Sequence, residues 1–292
     1  MRPRHQSSRE SDSSPDPAPD PATVTISSRR GWSEELIGAW RQRDLTAILA
    51  GRDIKLRYRQ TALGVIWVVL QPVLVSGVFS FVFGSIAKLP TAGVPYFLFA
   101  YSGLVGWNLF ANVLSRSSVS LIGNSALVAK IYFPRIILPL STIVGALLDA
   151  LVGSTVMLIL ILASGRPIDI LPLLTLPLWI AWTALMAIGV GLLLSGLIVR
   201  YRDFNYVLPL MLQLLLFGSP VAYASAAVPQ RFHLAYMLNP LAPLIDGVRW
   251  SFLGIGQPSG PSLLWSGLLS LIALAVGLET FRRAEARFAD VI

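Results

Sequence analysis

The chain has 292 residues, of which 54% are hydrophobic and only 13% are charged. A water-soluble domain usually carries about 25% charged residues, so this composition argues against a soluble enzyme and predicts a membrane protein. The sequence contains no cysteine, which excludes disulfides, cysteine nucleophiles and thiolate metal sites. The net charge of +8 does not indicate a nucleic-acid partner, because the basic residues lie beside the hydrophobic segments.

The N-terminal part of the chain divides into two regions of different character. Residues 1–28 are rich in Ser, Pro, Asp and Arg and lack the apolar core of a signal peptide. They are predicted to form a disordered tail, because they cannot bury enough apolar surface to offset their ordering entropy. Residues 29–62 mix charges with apolar residues at helical spacing, including Trp40 and Ile48. They predict an amphipathic helix in the membrane interface, with a cytoplasmic helix packed on protein as the alternative.

Six later segments are nearly free of charge and each is long enough to cross a bilayer as a helix. Backbone groups in lipid must be satisfied within their own segment, so helices are the expected form. The predicted fold class is therefore all-α, a polytopic membrane protein in which residues 63–292 form the transmembrane domain. The predicted spans are about 63–86, 94–114, 136–163, 172–199, 206–226 and 261–279.

The basic residues predict the orientation of these spans. If the N-terminus is cytoplasmic, six crossings return the C-terminus to the cytoplasm. Nineteen of the 23 Lys and Arg residues then lie inside and four lie outside. This asymmetry favours the N-in, C-in topology, because cytoplasmic loops of membrane proteins carry an excess of positive charge.

Two segments do not fit a simple pattern of spans and loops. Residues 115–135 are too polar to span and too apolar for a free loop, and they predict a short helix parallel to the membrane that ends before Pro134. Residues 227–260 contain Asp246 and Arg249 and are predicted to lie outside, where short re-entrant helices are one possibility and a seventh span is another.

No enzyme active site is predicted. The sequence has no GxxxxGK[ST] phosphate loop, no HExxH motif and no nucleophile elbow, and neither histidine has a partner at metal-ligand spacing. Asp149 is the one acidic residue deep in a predicted span. An intramembrane carboxylate is a candidate proton-coupling group, but a single one favours a structural role against a neighbouring helix.

Five sequence blocks, in one order, resemble those of ABC-2-type polysaccharide permeases, which export O-antigen, capsule, teichoic acid and related lipid-linked glycans. The resemblance covers about residues 33–292, and it is more specific for the permease family than for the cargo. The blocks are GRDIKLRYRQTALGVIWVVLQPVL at 51–74, KIYFPRIILPLS at 130–141, VRYRDFNYVLPLMLQLLLFGSPVAY at 199–223, LNPLAPLIDGVRWSFLG at 238–254 and FRRAEARFADVI at 281–292.

The resemblance implies an assembly. Two permease copies would form a homodimer around a conduit in the bacterial inner membrane. Two separate ATPase subunits would bind ATP and Mg beneath it, so that no cofactor belongs to this chain. A helix over residues 34–58 would act as a gate where the substrate enters. A short helix at about 117–129 would contact the ATPase, with Asn124, Ser125 and Lys130 near its end.

The resemblance also implies residue roles. Aromatic rings stack on sugars, and in this family the first and fifth spans line the conduit. The conduit aromatics predicted in this way are Trp67, Phe79, Phe83, Phe217 and Tyr223. The anionic head of a lipid-pyrophosphate-linked glycan is hypothesised to meet the basic residues of the amphipathic helix, although ordinary lipid headgroups are an equal alternative. Those residues are Arg52, Lys55, Arg57 and Arg59.

The sequence therefore predicts the permease subunit of an ATP-driven exporter of a lipid-linked polysaccharide. An ABC-2 exporter of a drug or free lipid would share the fold and differ in cargo. A proton-coupled carrier that acts without an ATPase is the alternative from another class.

Overall fold

The computed structural model describes residues 37–38, 40–59, 65–131 and 133–288, and the regular elements within these ranges are helical. The predicted tail, residues 1–28, lies outside the described residues. The α-helices are α1 (Arg43–Arg59), α2 (Val65–Phe79), α3 (Tyr96–Gly123), α4 (Ser125–Lys130), α5 (Ile137–Ala163), α6 (Ile170–Leu173), α7 (Leu176–Arg200), α8 (Phe204–Gly218), α9 (Gln230–Met237), α10 (Ala242–Leu253) and α11 (Gly260–Phe288). A π-helical segment, Ser80–Ile86, continues α2, and a 3-10 helix covers Ser225–Ala227.

Five helical segments of the described chain are long and apolar enough to cross a membrane, which confirms the all-α polytopic fold class. They are Ile66–Ile86, Tyr96–Gly123, Ile137–Ala163, Ile170–Arg200 and Gly260–Glu285. The length matters because the hydrocarbon core of a bilayer is about 30 Å thick and a helix rises about 1.5 Å per residue.

The span predicted at 206–226 is shorter than expected. Its helix, α8, is apolar but has only 15 residues and ends at Gly218, so it is about 22 Å long. It stops because Ser219 precedes Pro220, and a residue before proline avoids the helical conformation. Ser219 is accordingly extended, with φ −114° and ψ 155°.

The segment 115–135 also differs from its prediction. Residues 117–123, expected in a separate helix with 124–129, are the last two turns of α3, and only the six residues of α4 stand apart. Two of the serines that make this segment polar, Ser117 and Ser118, are buried. Ser117 and Ser118 donate to carbonyls one turn earlier, Val113 and Leu114, each at 2.6 Å. The side-chain polarity is therefore satisfied inside the helix.

The core of the bundle forms around α3 and α7, which are mostly buried, whereas α2 and α11 are mostly exposed. Helix α11 packs against α7 through glycines on both helices, Gly189 and Gly277, which let the two backbones approach closely. Helix α10 packs against α3 and α7, and ten of its 12 residues are buried. The segment 227–260 is therefore not a free loop, because it folds back against the bundle through α10.

Candidate functional site

One side of helix α1 packs against the helical bundle, and the other side is exposed on the protomer surface. Leu49 and Ala50 are buried against the bundle, where α1 packs on α5, while Ile48 and Leu56 are 67% and 50% exposed. Trp40, three residues before the start of α1, is 73% exposed. The helix therefore packs on the bundle along one side. Its free face still carries the apolar side chains that suit a membrane interface.

The basic residues predicted to meet a lipid headgroup have different surroundings. The Arg52 guanidinium donates to the carboxylate of Asp53 at 3.0 Å and to the side-chain oxygen of Asn124 at 2.7 Å. Lys55 is exposed. Arg57 and Arg59 lie in the last turn of α1, and their side chains lie outside the described part of the structure.

The Arg52–Asn124 hydrogen bond joins two groups of predicted site residues. Asn124 lies between α3 and α4, and its amide donates to the carbonyl of Ser120 at 2.9 Å. Arg52, predicted to act where the substrate enters, is therefore bound to a residue predicted to contact the ATPase. The other two predicted contact residues, Ser125 and Lys130, are exposed on α4. The structure thus connects α1 directly to the segment predicted to receive the ATPase.

A cavity of 190 Å³ lies beside this connection, between α1, α3 and α5. Arg116 lines it and forms an ion pair with Asp149, with 3.6 Å between guanidinium nitrogen and carboxylate oxygen. Asp149 is 7% exposed and also lines a second cavity of 70 Å³ together with Asn108 and Asn112. The pair fits the structural interpretation of Asp149. Sequence reasoning missed it because it had placed Arg116 outside the spans.

The predicted conduit aromatics do not share one environment. Trp67 and Phe217 are 51% and 54% exposed on the protomer surface. Phe79 is buried, and Phe83 is partly buried with its ring edge-on to Phe79 at 5.6 Å between centroids. Tyr223 is half-buried, and its hydroxyl donates to the carbonyl of Phe217 at 3.2 Å. Trp67 and Phe217 are thus the two of the five whose rings are mostly free in a single protomer.

A second polar cluster, which sequence reasoning did not single out as a site, centres on Arg249 of α10. Arg249 is 1% exposed, and its guanidinium donates to the carboxylate of Asp246 at 2.9 Å. It also donates to the carbonyls of Pro220 and Val221, in the turn that follows α8. The ring of Phe99 lies 3.9 Å from the guanidinium carbon. We call Phe99, Asp246 and Arg249 the Arg249 cluster.

The carboxylate of the Arg249 cluster has a second donor. The hydroxyl of Ser225 donates to Asp246, and the same hydroxyl lies 2.7 Å from that of Tyr236. Burial raises the pKa of the Asp246 carboxyl, and the charge of Arg249 opposes that rise. The spacing of three residues between Asp246 and Arg249 on a helix is the sequence signal that could have predicted the pair.

Residues 44–253 match the ABC-2 type transporter family. The chain belongs to this family. The match covers more than two thirds of the sequence and includes α1, the Arg52–Asn124 connection and the Arg249 cluster. Membership in the ABC-2 family confirms the resemblance found in the sequence. Together with the five candidate spans, it makes the chain a multi-pass membrane protein and a transport permease.

Several relatives of this ABC-2 permease are similar over most of their length. The O-antigen export system permease protein RfbA of Klebsiella pneumoniae is 28% identical over 250 residues, which cover 85% of this chain and 95% of the relative. A protein of the same name from Myxococcus xanthus is 26% identical over 264 residues, or 87% and 97% of the two chains. The polysialic acid transport protein KpsM of Escherichia coli is 25% identical over 242 residues, or 80% and 91%.

Proposed function

We propose that this ABC-2 permease is the membrane subunit of an ATP-driven exporter that moves a lipid-linked polysaccharide across the bacterial inner membrane. The observation that carries the proposal is its similarity, over 80–87% of the chain, to permeases named for O-antigen export and polysialic acid transport. A drug or a free lipid is the competing cargo. No relative reported above is named for either.

The proposal places ATP hydrolysis on a separate subunit. The sequence lacks the Gly-rich loop that cradles ATP phosphates. The exposed residues Ser125 and Lys130 of α4 offer a surface for such a subunit. Through Asn124 and Arg52, a displacement of α4 would reach α1 without passing through the rest of the bundle. ATP and Mg would bind to the partner subunit. Their binding would shift the permease between two conformations, because a ligand favours the conformation that it binds more tightly.

The proposal also includes a second copy of this chain. Helices α2 and α8 leave apolar side chains exposed on the protomer, among them Trp67, Leu214 and Phe217. In a homodimer, these two helices from each copy would enclose a conduit, and its aromatic rings would stack on the sugars that pass. The exposure of Trp67 and Phe217 on the protomer is what supports their predicted roles.

Export is expected to require the ATPase. In a strain that lacks this permease, the wild-type chain should restore the glycan at the cell surface. Restoration should disappear when the phosphate-loop lysine of the ATPase subunit is replaced by alanine. The measurement is the amount of surface glycan, detected with a specific antibody or lectin, in strains with the wild-type or the substituted ATPase at equal permease levels. Transport by the purified permease alone in liposomes, driven by a proton gradient, would instead establish the carrier alternative.

The headgroup hypothesis predicts a loss of export on charge reversal at the end of α1. Arg57→Glu with Arg59→Glu is expected to lower export by at least about thirtyfold, because each basic residue near a surface contributes about 1 kcal/mol toward an anionic head and two such contributions are lost. The matched control is Arg41→Glu with Arg43→Glu, which reverses two charges at and just before the other end of the helix. Equal export by both variants at normal protein levels would remove the headgroup role.

A further inference from the structure

Two parts of the structure have little core packing of their own. Helix α8 has one buried residue, Leu208. The π-helical segment Ser80–Ile86, at the end of α2, has none. π-Helical turns are rare and occur frequently at functional sites. Because neither element is held by an extensive buried face, the contacts at its end decide where it lies.

Tyr96, at the start of α3, contacts both of these elements. Its ring packs against Gly84 of the π-helical segment, so closely that a Cβ at Gly84 would lie 2.9 Å from the Tyr96 Cβ. Its hydroxyl donates to the carbonyl of Ala222, in the turn that follows α8. A single side chain therefore ties the end of α2 to the end of α8.

The Arg249 cluster fixes the same turn from the other side. Arg249 donates to the carbonyls of Pro220 and Val221, so that three consecutive carbonyls, 220 to 222, accept hydrogen bonds from Tyr96 and Arg249. The rings of Tyr96 and Phe99 are 5.9 Å apart, and Phe99 lies against Arg249. All four residues of the turn, 219–222, are buried. Burial and these hydrogen bonds hold the turn in place, and Tyr96 connects the π-helical end of α2 to it.

We propose that Tyr96 is a positioning residue that sets the distance between the π-helical end of α2 and the end of α8. Two contacts of Tyr96 connect these elements: its ring packs on Gly84, and its hydroxyl donates to the carbonyl of Ala222. Its consequence for export rests on the proposed function: α2 and its π-helical continuation carry Trp67, Phe79 and Phe83, and α8 carries Phe217. The distance between the two ends then determines how wide the conduit is at this end.

The test measures that distance directly. The chain has no cysteine, so spin labels can be placed at Ile86→Cys and Leu214→Cys, positions that are 66% and 65% exposed. The labelled full-length permease is mixed with excess unlabelled permease, so that distances within one protomer dominate. The variants are Tyr96→Phe, which removes only the hydroxyl, and Gly84→Ala, which places a methyl group against the Tyr96 ring.

Tyr101→Phe is the matched control. Tyr101 is fully buried on the same helix, and its hydroxyl has no hydrogen-bond partner among the described residues. Tyr96→Phe and Gly84→Ala are expected to broaden the distance distribution and shift its maximum, whereas Tyr101→Phe should reproduce the parent. Parent-like distributions in both Tyr96→Phe and Gly84→Ala would overturn the proposal, and so would an equal change in Tyr101→Phe.

Export provides a separate measurement. At equal protein levels, Tyr96→Phe is expected to lower surface glycan by about threefold to tenfold, the size of one lost hydrogen bond, while Tyr101→Phe keeps the parental amount. If the parent chain itself exports no glycan, the proposed function fails. The distance measurement still decides whether Tyr96 ties the two elements.

Discussion

Arg249→Ala is expected to remove most of the folded permease from the membrane. The substitution leaves the Asp246 carboxylate, which is 7% exposed, without the guanidinium that neutralises it. It also takes a donor from the carbonyls of Pro220 and Val221. Removing one partner of a buried ion pair costs about 3–5 kcal/mol, a large share of the 5–15 kcal/mol that stabilises a typical domain. Membrane levels and the melting temperature of the solubilised protein measure the loss.

Two variants separate this effect from a general loss of charge. Arg231→Ala removes an exposed arginine that lies over the ring of Phe232, and it should keep parental levels and melting temperature. The double variant Asp246→Leu with Arg249→Met replaces both charges by apolar groups. It should recover much of the lost stability, because no unpaired charge remains. A parental melting temperature for Arg249→Ala would contradict the assigned role of the pair.

The class of fold can be predicted from the sequence because, in lipid, each spanning segment must form its own backbone hydrogen bonds. A spanning segment must satisfy its own backbone, so its hydropathy and length suffice to find it. The extension of α3 to Gly123 did not follow, because hydropathy counts the serine hydroxyls as exposed polarity. The structure satisfies them with carbonyls one turn earlier. The short α8 had a visible signal, Ser219 before Pro220, which hydropathy alone does not weigh.

The contacts of the candidate sites were less predictable. Asp246 and Arg249 are three residues apart on one helix, so their pairing was within reach of sequence reasoning. The carbonyls that Arg249 binds lie 28 and 29 residues earlier in the chain, and Asn124 lies 72 residues after Arg52. No period or motif connects residues at such separations. They meet only because α10 folds back on α3 and α1 packs on α5.

Gly189→Leu is expected to disrupt the packing of α7 against α11. A Cβ at Gly189 would lie 2.7 Å from the backbone nitrogen of Leu274 and 2.9 Å from the carbonyl carbon of Ala273. Backbone atoms cannot rotate away as a side chain can, so α11 would have to move as a whole. Overpacking of a tight interface costs about 3 kcal/mol at the upper end of the usual range.

The matched control is Gly77→Leu, in α2, where a Cβ at the glycine would meet no atom within 4 Å. Both variants introduce the same side chain into a candidate span, so their difference reports the α7–α11 contact rather than the loss of glycine. Gly77→Leu should keep the parental melting temperature, since leucine is the better helix former. Gly189→Leu should lower both melting temperature and membrane level. Equal stability of the two variants would mean that α11 is held to the bundle by contacts other than the close approach of the backbones at Gly189 and Gly277.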